Sequence, residues 1–337
     1  SWVFWLNAFL KYLEMKSFKL IQYGLFLFCA VFFNSACASF HLGPSMGPLK
    51  ETVLEGEGSE KILLINLQGV INNQKDQAFT GATTALGMVE QVREIISKAA
   101  KDDDIKALLI KMNSPGGTVT ASDIILHELV TYKDKYKIPV YVHVVDLAAS
   151  GGYYIALAGD EIIAHPTSLI GSIGVIALKV NMENLMEKIG VEWEIVKSGD
   201  KKDFMSPFRS FTVEEKKLFQ NTIDNFHTRF VTIIAENRKK LDIDEVKPLA
   251  DGRVFDSKQA MDLNLIDGIG YISDTVERIR LKLKNPNLKV ITYHRQGDYK
   301  SNLYSFSPQS PAFNLIKLDL GLDESTLSPN FLYLWMP

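Results

Sequence analysis

A single hydroxyl in a stretch almost without side chains is the first feature with chemical meaning. In "DLAASGGYYIA" (146–156), Ser150 follows two alanines and precedes two glycines. Small residues there would let a helix pack closely on a sheet. They would also leave a nucleophile in open space with bare backbone N–H groups beside it, that of Gly151 first. A serine hydroxyl attacks a carbonyl only when a base takes its proton, and the resulting oxyanion needs preorganised donors. "NSPGG" (113–117) is a turn of proline and two glycines that can aim such N–H groups into a cleft. The identity of the base stays open at this level. His127 reads as mid-helix, His143 lies in a strand, and neither these nor His165 sits in a loop typical of a catalytic base. "KSGDKKDFMSPFR" (197–209) offers Lys197, Lys201 and Lys202. Desolvation can bring a lysine toward neutrality, but composition does not choose among the three, and a solvated charge is the ordinary state of each.

Three glycine-marked loops, 113–117, 149–152 and 171–174, fall near the C-terminal ends of predicted strands. That edge is where parallel α/β sheets bind ligands. Apolar, β-branched runs predict strands over 61–71, 105–112 and 139–145, with shorter ones over 161–165 and 171–177. Helical spacing predicts helices over 83–100, 120–136 and 151–158, the second capped by Thr120, Ser122 or Asp123. A helix opening at Gly151 would add a positive dipole end to the site. The alternation predicts an α/β fold of repeated strand–helix units with a largely parallel sheet. Further on, 180–190 reads as a helix and 191–199 as a strand. Residues 212–240 read as a long amphipathic helix opened by a Thr212-to-Glu215 capping box, and 251–270 as turn, helix and turn. Residues 286–337, with many Ser, Asn and Pro, read as a loosely ordered tail. There is no internal repeat.

Bulk properties narrow the classes. The 337 residues are 46% hydrophobic and 23% charged, an ordinary globular composition. A formal net charge of −3 gives no nucleic-acid footprint. The six histidines are scattered without HExxH, and CxxC is absent, so no metal site is suggested. The two cysteines, Cys29 and Cys37, both lie in the apolar N-terminal segment, which excludes a structural disulfide in the folded body. From Met15 the chain has a basic start (Lys16, Lys19), an apolar run and then "ACA" at 36–38, the pattern of a secretory signal. The run is short for a bilayer span, which favours cleavage after Ala38. An uncleaved anchor or lipidation at Cys37 are the alternatives, and each leaves the body outside the cytoplasm. Residues 1–14 read as an over-extended start or a second hydrophobic stretch, and 39–59 as a linker rich in Gly, Pro and Glu.

Taken together, "NSPGG", "ASGGYYIA", "GSIGV", "KSGDKKDFMSPFR" and "DGRVFDSKQAMDLNLIDGIG" occur in an order that resembles signal peptide peptidase A. This is a family of bacterial membrane-associated serine proteases with a Ser–Lys dyad. The resemblance covers 60–285, which it marks as the protease domain, and implies a Clp protease/crotonase-like fold. It implies Ser150 as nucleophile and Lys202 as general base. It also implies an oxyanion loop at Gly116 and Gly117 beside Gly151, and Ser172 as an auxiliary hydrogen-bond partner of the lysine. The substrates implied are signal-peptide remnants and other apolar peptides, cut on the extracytoplasmic face of the membrane without metal, nucleotide or other cofactor. The implied assembly is a homo-oligomeric ring whose dyad is completed between subunits. Two departures are visible: "DLAAS" where a methionine before Ala-Ser is expected, and Asp200 where a lysine is common. The rival readings are a crotonase-fold enzyme for acyl thioesters, for which Asp146 is the nearby carboxylate, and a non-catalytic scaffold.

Overall fold

Three apolar runs pair side by side and make the centre of the molecule. Their side chains alternate between the two faces of the sheet, as a pleated strand requires. The computed structural model describes residues 47–73, 76–77, 83–295, 301–305 and 331–335. The segments read as an over-extended start and as a signal or anchor, with Cys29 and Cys37, lie outside the described residues. Among the described residues no helix is long and apolar enough to cross a membrane. None of their His, Cys, Asp and Glu side chains form a group placed to hold a metal ion.

The chain begins with β1 (Lys50–Glu55), β2 (Lys61–Gln68) and a small hairpin, β3 (Asp76–Gln77) with β4 (Thr83–Ala85). Helix α1 (Met88–Ala99), β5 (Ile105–Ser114), the short β6 (Gly116–Thr118) and α2 (Val119–Tyr136) follow. Then come β7 (Val140–Ala149), α3 (Gly151–Ala156), β8 (Glu161–Ala164), β9 (Leu169–Gly171) and β10 (Ile176–Ala177). The second half holds α4 (Glu183–Lys188), the long α5 (Val213–Asn237), α6 (Ile243–Val246), β11 (Val254–Asp256), α7 (Ser257–Asp262), β12 (Gly268–Ile269) and α8 (Ile272–Lys282). Two strands close the description, β13 (Lys289–His294) and β14 (Phe331–Leu334).

The main sheet runs β1-β13-β2-β5-β7-β8-β12. Every neighbouring pair from β13 to β12 is parallel, and only β1 joins antiparallel. Leu63, Ile65 and Leu67 of β2 and Leu108, Ile110 and Met112 of β5 point into one core, under α1, α2, α3 and α5. Ile62, Leu64, Ala107 and Leu109 point into the other, under α8. The long β7 is shared. Tyr141–Val144 pair with β8, and Leu147–Ala149 pair with β9, which carries β11 antiparallel on its far side. This split leaves the end of β7 paired with β5 but gives it β9 in place of β8 on its other side, so Ser150 opens beside a different strand from the one that flanks the start of β7.

The predicted α/β class and largely parallel sheet are what the structure has. Several elements differ from expectation. Within the segment read as a linker, 50–55 forms strand β1. Within the segment read as a loosely ordered tail, 289–294 forms β13, inserted between β1 and β2, with Val290 and Ile291 fully buried. Polar composition hid a strand whose pairing partners lie more than two hundred residues away. The run 191–199, read as a strand, pairs with nothing and is exposed, because no sheet edge in the described chain reaches it. Helix α2 is capped by Thr118, whose hydroxyl accepts from the N–H of Ala121 at 3.3 Å, and not by Thr120, Ser122 or Asp123. The capping box at Thr212 and Glu215 is present as expected.

Because β13 completes the parallel sheet, Ile291→Ala should lower the unfolding free energy by about 2–5 kcal/mol. Chemical denaturation followed by circular dichroism measures this, and a loss under about 0.5 kcal/mol, typical of an exposed position, would show that β13 is not part of the cooperative sheet.

Candidate active site

Ser150 sits on the turn from β7 into α3 with φ 52° and ψ −115°. A non-glycine residue there is strained by about 1–3 kcal/mol, a cost met where the surroundings over-determine the conformation. Here its N–H donates to the carbonyl of Gly171 at 2.7 Å, and its own carbonyl accepts from Tyr154 N–H at 2.9 Å. The residue is 1% exposed, and its Oγ lies 3.5 Å from the carbonyl oxygen of Gly174. Ser172, also at positive φ, is tied through its N–H to the carbonyl of Arg253 at 2.7 Å and borders the same corner. A cavity of about 470 Å³ opens there, lined by Ser172, Gly174, Ile176, His227 and Leu334 among others.

The glycine loops converge on this corner. A methyl group on Gly151 would lie 3.2 Å from the nitrogen of Gly117 and 2.4 Å from Ser122 Oγ, and one on Gly116 would lie 2.8 Å from the nitrogen of Gly151. Gly116, at φ +100°, is held from both sides. Its N–H donates to Ser114 Oγ at 3.1 Å and its carbonyl accepts from Ile71 N–H at 2.8 Å. Its N–H is therefore taken, and Gly117 and Gly151 are the glycines that face the cleft.

The cleft holds a peptide strand belonging to the chain itself. Strand β14 pairs antiparallel with β6 on one side, Tyr333 opposite Gly117 and Leu334 opposite Gly116, and with β10 on the other. The N–H of Trp335 extends the ladder to the carbonyl of Pro115 at 2.8 Å. The carbonyl oxygen of Tyr333 would lie 1.9 Å from a Cβ on Gly116 and 3.1 Å from one on Gly151, so it occupies the notch between the two glycine loops. The Tyr333 ring is fully buried, stacked on Tyr154 at 5.1 Å and beside Phe230 at 4.9 Å, and its hydroxyl donates to the carbonyl of Phe226 at 2.8 Å. Phe331 packs between Phe219 and Phe226. Sequence reading missed this strand and its aromatic pocket. Of the pocket residues only Tyr154 stands in a glycine motif, and the phenylalanines and Tyr333 that meet it lie far from it in sequence.

No described histidine hydrogen-bonds Ser150, and His227, in the cavity wall, meets the carbonyl of Ala250 through Nε2 at 2.7 Å. His143 is buried with Nδ1 at 2.8 Å from Thr275 Oγ1, and burial pushes its pKa down to about 4. His165 lies against Thr167 and Tyr271, and His127 is exposed on α2. Asp146 is exposed and accepts from the amide of Asn113 at 2.6 Å.

The structure distinguishes the three lysines of the 197–209 loop. Lys197 Nζ donates to Asp203 at 2.7 Å, and Lys201 is paired with Glu214 at 2.7 Å. Lys202 is exposed, and among the described residues its side chain makes no hydrogen bond or ion pair, with Ser150 or anything else. The loop itself is tightly tied. Arg209 donates through Nε and one terminal nitrogen to Asp203, both at 2.9 Å, and through both terminal nitrogens to Glu215 at 2.9 and 2.7 Å. Lys179 donates to the carbonyls of Phe204 and Arg209 at 3.2 and 2.9 Å and lies over the Phe211 ring. Arg209, and then Lys197, hold the Asp203 carboxyl far below the usual carboxylate range. Arg209, with the N–H of Thr212, brings Glu215 down to about 2.

Known proteins match this chain. A family model described as peptidase family S49 matches residues 132–285, and a Clp protease model matches 71–170. A protein of Enterococcus faecium named for signal peptide peptidase SppA is 36% identical over 248 residues, 72% of this chain and 70% of that one. Protease 4 of Haemophilus influenzae is 32% identical over 219 residues, 65% of this chain and 34% of that one. Chloroplastic serine protease SPPA of Arabidopsis thaliana is 31% identical over 236 residues, 70% of this chain and 34% of its own length. A solved structure, a ClpP1 mutant from Listeria monocytogenes, aligns with TM-score 0.41 and 17% identity over 63% of this chain and 92% of that one. The peptidase model and the named relatives make the class a serine-type peptidase, and the Clp protease model over 71–170 marks its fold as Clp-like. Within it, the chain belongs to peptidase family S49.

The charges around Arg209 fix a pH response. Carboxyls depressed in the folded state stabilise the loop above their unfolded pKa, about 4, and that contribution is lost as pH falls through the folded value. Pepsin cleavage within 197–212 should therefore accelerate between about pH 4 and pH 2, while far-UV circular dichroism of the sheet persists. An equal cleavage rate across that window would show that the Arg209 network does not hold the loop.

Proposed function

We propose that this chain is an endopeptidase that binds apolar peptides as an added β-strand and cleaves them with Ser150 as nucleophile and Lys202 as general base. The observation that carries the reading is strand β14. An extended, apolar peptide lies antiparallel to β6, with one carbonyl in the notch between Gly117 and Gly151 beside Ser150. In the reaction, Lys202 takes the Ser150 proton, and Oγ attacks the carbonyl of a peptide bound in place of β14. The N–H groups of Gly117 and Gly151 stabilise the oxyanion. Lys202 returns the proton to the leaving amine, and then deprotonates the water that releases the acyl-enzyme.

Lys202 comes from a neighbouring copy in this reading. The loop that carries it is exposed, as is the apolar run beside it, where Ile189 is 61% and Val196 96% exposed. A second copy covering this face in a ring would bury that surface and bring Lys202 to the cavity bordered by Ser172 and Gly174. Burial also favours the uncharged lysine that a base must be. The aromatic pocket around Tyr154, Phe226 and Phe230 suits hydrophobic peptides such as signal-peptide remnants. The 15–38 segment supports action on the extracytoplasmic side of a membrane.

Ser150→Ala and Lys202→Ala should each lose about a thousandfold or more in kcat. Mixed in equal amounts and reassembled, the two inactive variants should recover about a quarter of the wild-type activity if each site draws on two copies in a ring. Two inactive variants that stay inactive on mixing would place the dyad within one chain. Full activity in either single variant would remove that residue from the mechanism.

Substrate has to displace β14, so the apparent affinity carries the cost of emptying the cleft. Tyr333→Asp puts a charge into an aromatic pocket and should expel the strand. The expected result is an apparent KM for a short apolar peptide at least about threefold lower, with kcat unchanged. An unchanged KM would show that β14 does not compete with substrate.

A further inference from the structure

Lys202 is followed directly by Asp203, and a carboxylate brought close to an amine favours its charged form. A lysine that must be neutral to act therefore has the wrong neighbour, unless that charge is cancelled. Asp203 is met by three nitrogen donors, two from Arg209 and one from Lys197, and its side chain is only 11% exposed. Arg209 is in turn fixed by Glu215, 4% exposed, which closes the capping box of the 25-residue helix α5. The geometry is a rigid relay: helix α5, Glu215, Arg209, Asp203, then the backbone of Lys202.

We propose that Arg209 is a positioning residue for the lysine base. It anchors the Lys202 backbone to the start of α5 through Asp203, and it cancels the Asp203 charge that would keep Lys202 protonated. The inference rests on the reading of Lys202 as the base. The groups that bear on the pair come from three elements. The loop itself carries Lys197, Asp200 and Lys201. The segment before and within α4 carries Lys179, fastened to the loop carbonyls, and Glu183, which accepts from the N–H and hydroxyl of Ser210 at 2.9 and 2.8 Å. Helix α5 carries Glu214, paired with Lys201, and Glu215. Among the described residues only Arg209 hydrogen-bonds both carboxylates, so its removal leaves two negative charges with weakened compensation.

The two halves of the Asp203–Arg209 pair make opposite electrostatic predictions, which a purely structural role does not. Arg209→Gln leaves Asp203 under-compensated. The acid limb of kcat/KM should move up by about 0.5–1 pH unit, with activity falling about three- to tenfold below the limb and recovering above it. Asp203→Asn leaves the cationic groups in excess, and the limb should move down. Arg209→Lys should restore most of the wild-type position, and the double variant Arg209→Gln/Asp203→Asn should return close to it. The assembled enzyme, a fluorogenic peptide and kcat/KM from pH 5 to 10 suffice, with KM read separately and expected to hold. Limbs that stay in place, move in the same direction, or give way to equal loss at every pH would overturn the inference. If Arg209→Gln does not fold, Asp203→Asn decides alone: a downward limb supports the proposal and a fixed one refutes it. Lys202→Ala is run in parallel. Full activity there would remove the base itself, whereas an inactive Lys202→Ala beside unshifted limbs would refute only the role of Arg209.

Discussion

The close approach of backbones around Gly151 is the constraint on which the site depends. Gly116, Gly117, Gly151 and the carbonyl of Tyr333 crowd into a space where a methyl group on any of the three glycines would collide with another main chain or a fixed hydroxyl. Main chain can come this near to main chain only where Cβ is missing. The same absence leaves N–H groups uncovered, and so the packing reading and the reactive reading of "ASGGYYIA" turn out to be one. Small residues let the loops converge, and the convergence makes the notch. The positive φ of Ser150 belongs to the same constraint, because β7 has to end and α3 begin within a single residue for the serine to face that notch.

The lysine loop obeys a different physics. Phe204 packs against Phe211 and Phe219, and the backbone following Lys202 is held by charge. Arg209 bridges two carboxylates, Lys179 gathers two carbonyls, and Trp193 stacks on Phe208 at 4.1 Å. Around this tied backbone the apolar side chains of 185–196 stay in water. Exposed apolar side chains gathered in one segment suit a surface that another molecule covers. In the proposed mechanism the site is divided between a buried serine corner and an exposed lysine loop, and activity then begins only when a second copy brings the two together.

Local signals carried much of the architecture. Strands β2, β5 and β7 and helices α1, α2 and α5 are legible because their hydrophobic periods are strong and their partners are adjacent in sequence or in the sheet. Ser150 and the two glycine loops are legible because glycine patterns report backbone needs directly. Strand β13 was not, since Val290 and Ile291 stand among polar residues and gain their burial from β1 and β2. The run 191–199 misled for the converse reason: its alternation is strand-like, but a strand exists only where another strand offers hydrogen bonds.

By itself the sequence determined the α/β class and the corner where Ser150 meets the glycine loops, while the choice of a lysine loop for the base came from the family resemblance. The first two are properties of local backbone preference and residue type. Only the tertiary structure decided that Gly116 spends its N–H on Ser114 while Gly117 faces the cleft. It also decided that Lys197 and Lys201 are engaged in ion pairs while Lys202 stands apart, and that residues 331–335 lie in the cleft as a strand. Those facts concern which individual groups meet, from Gly116 with its near neighbour Ser114 to Tyr333 with the far Gly117, and a single hydrogen bond or ion pair leaves no period in a sequence.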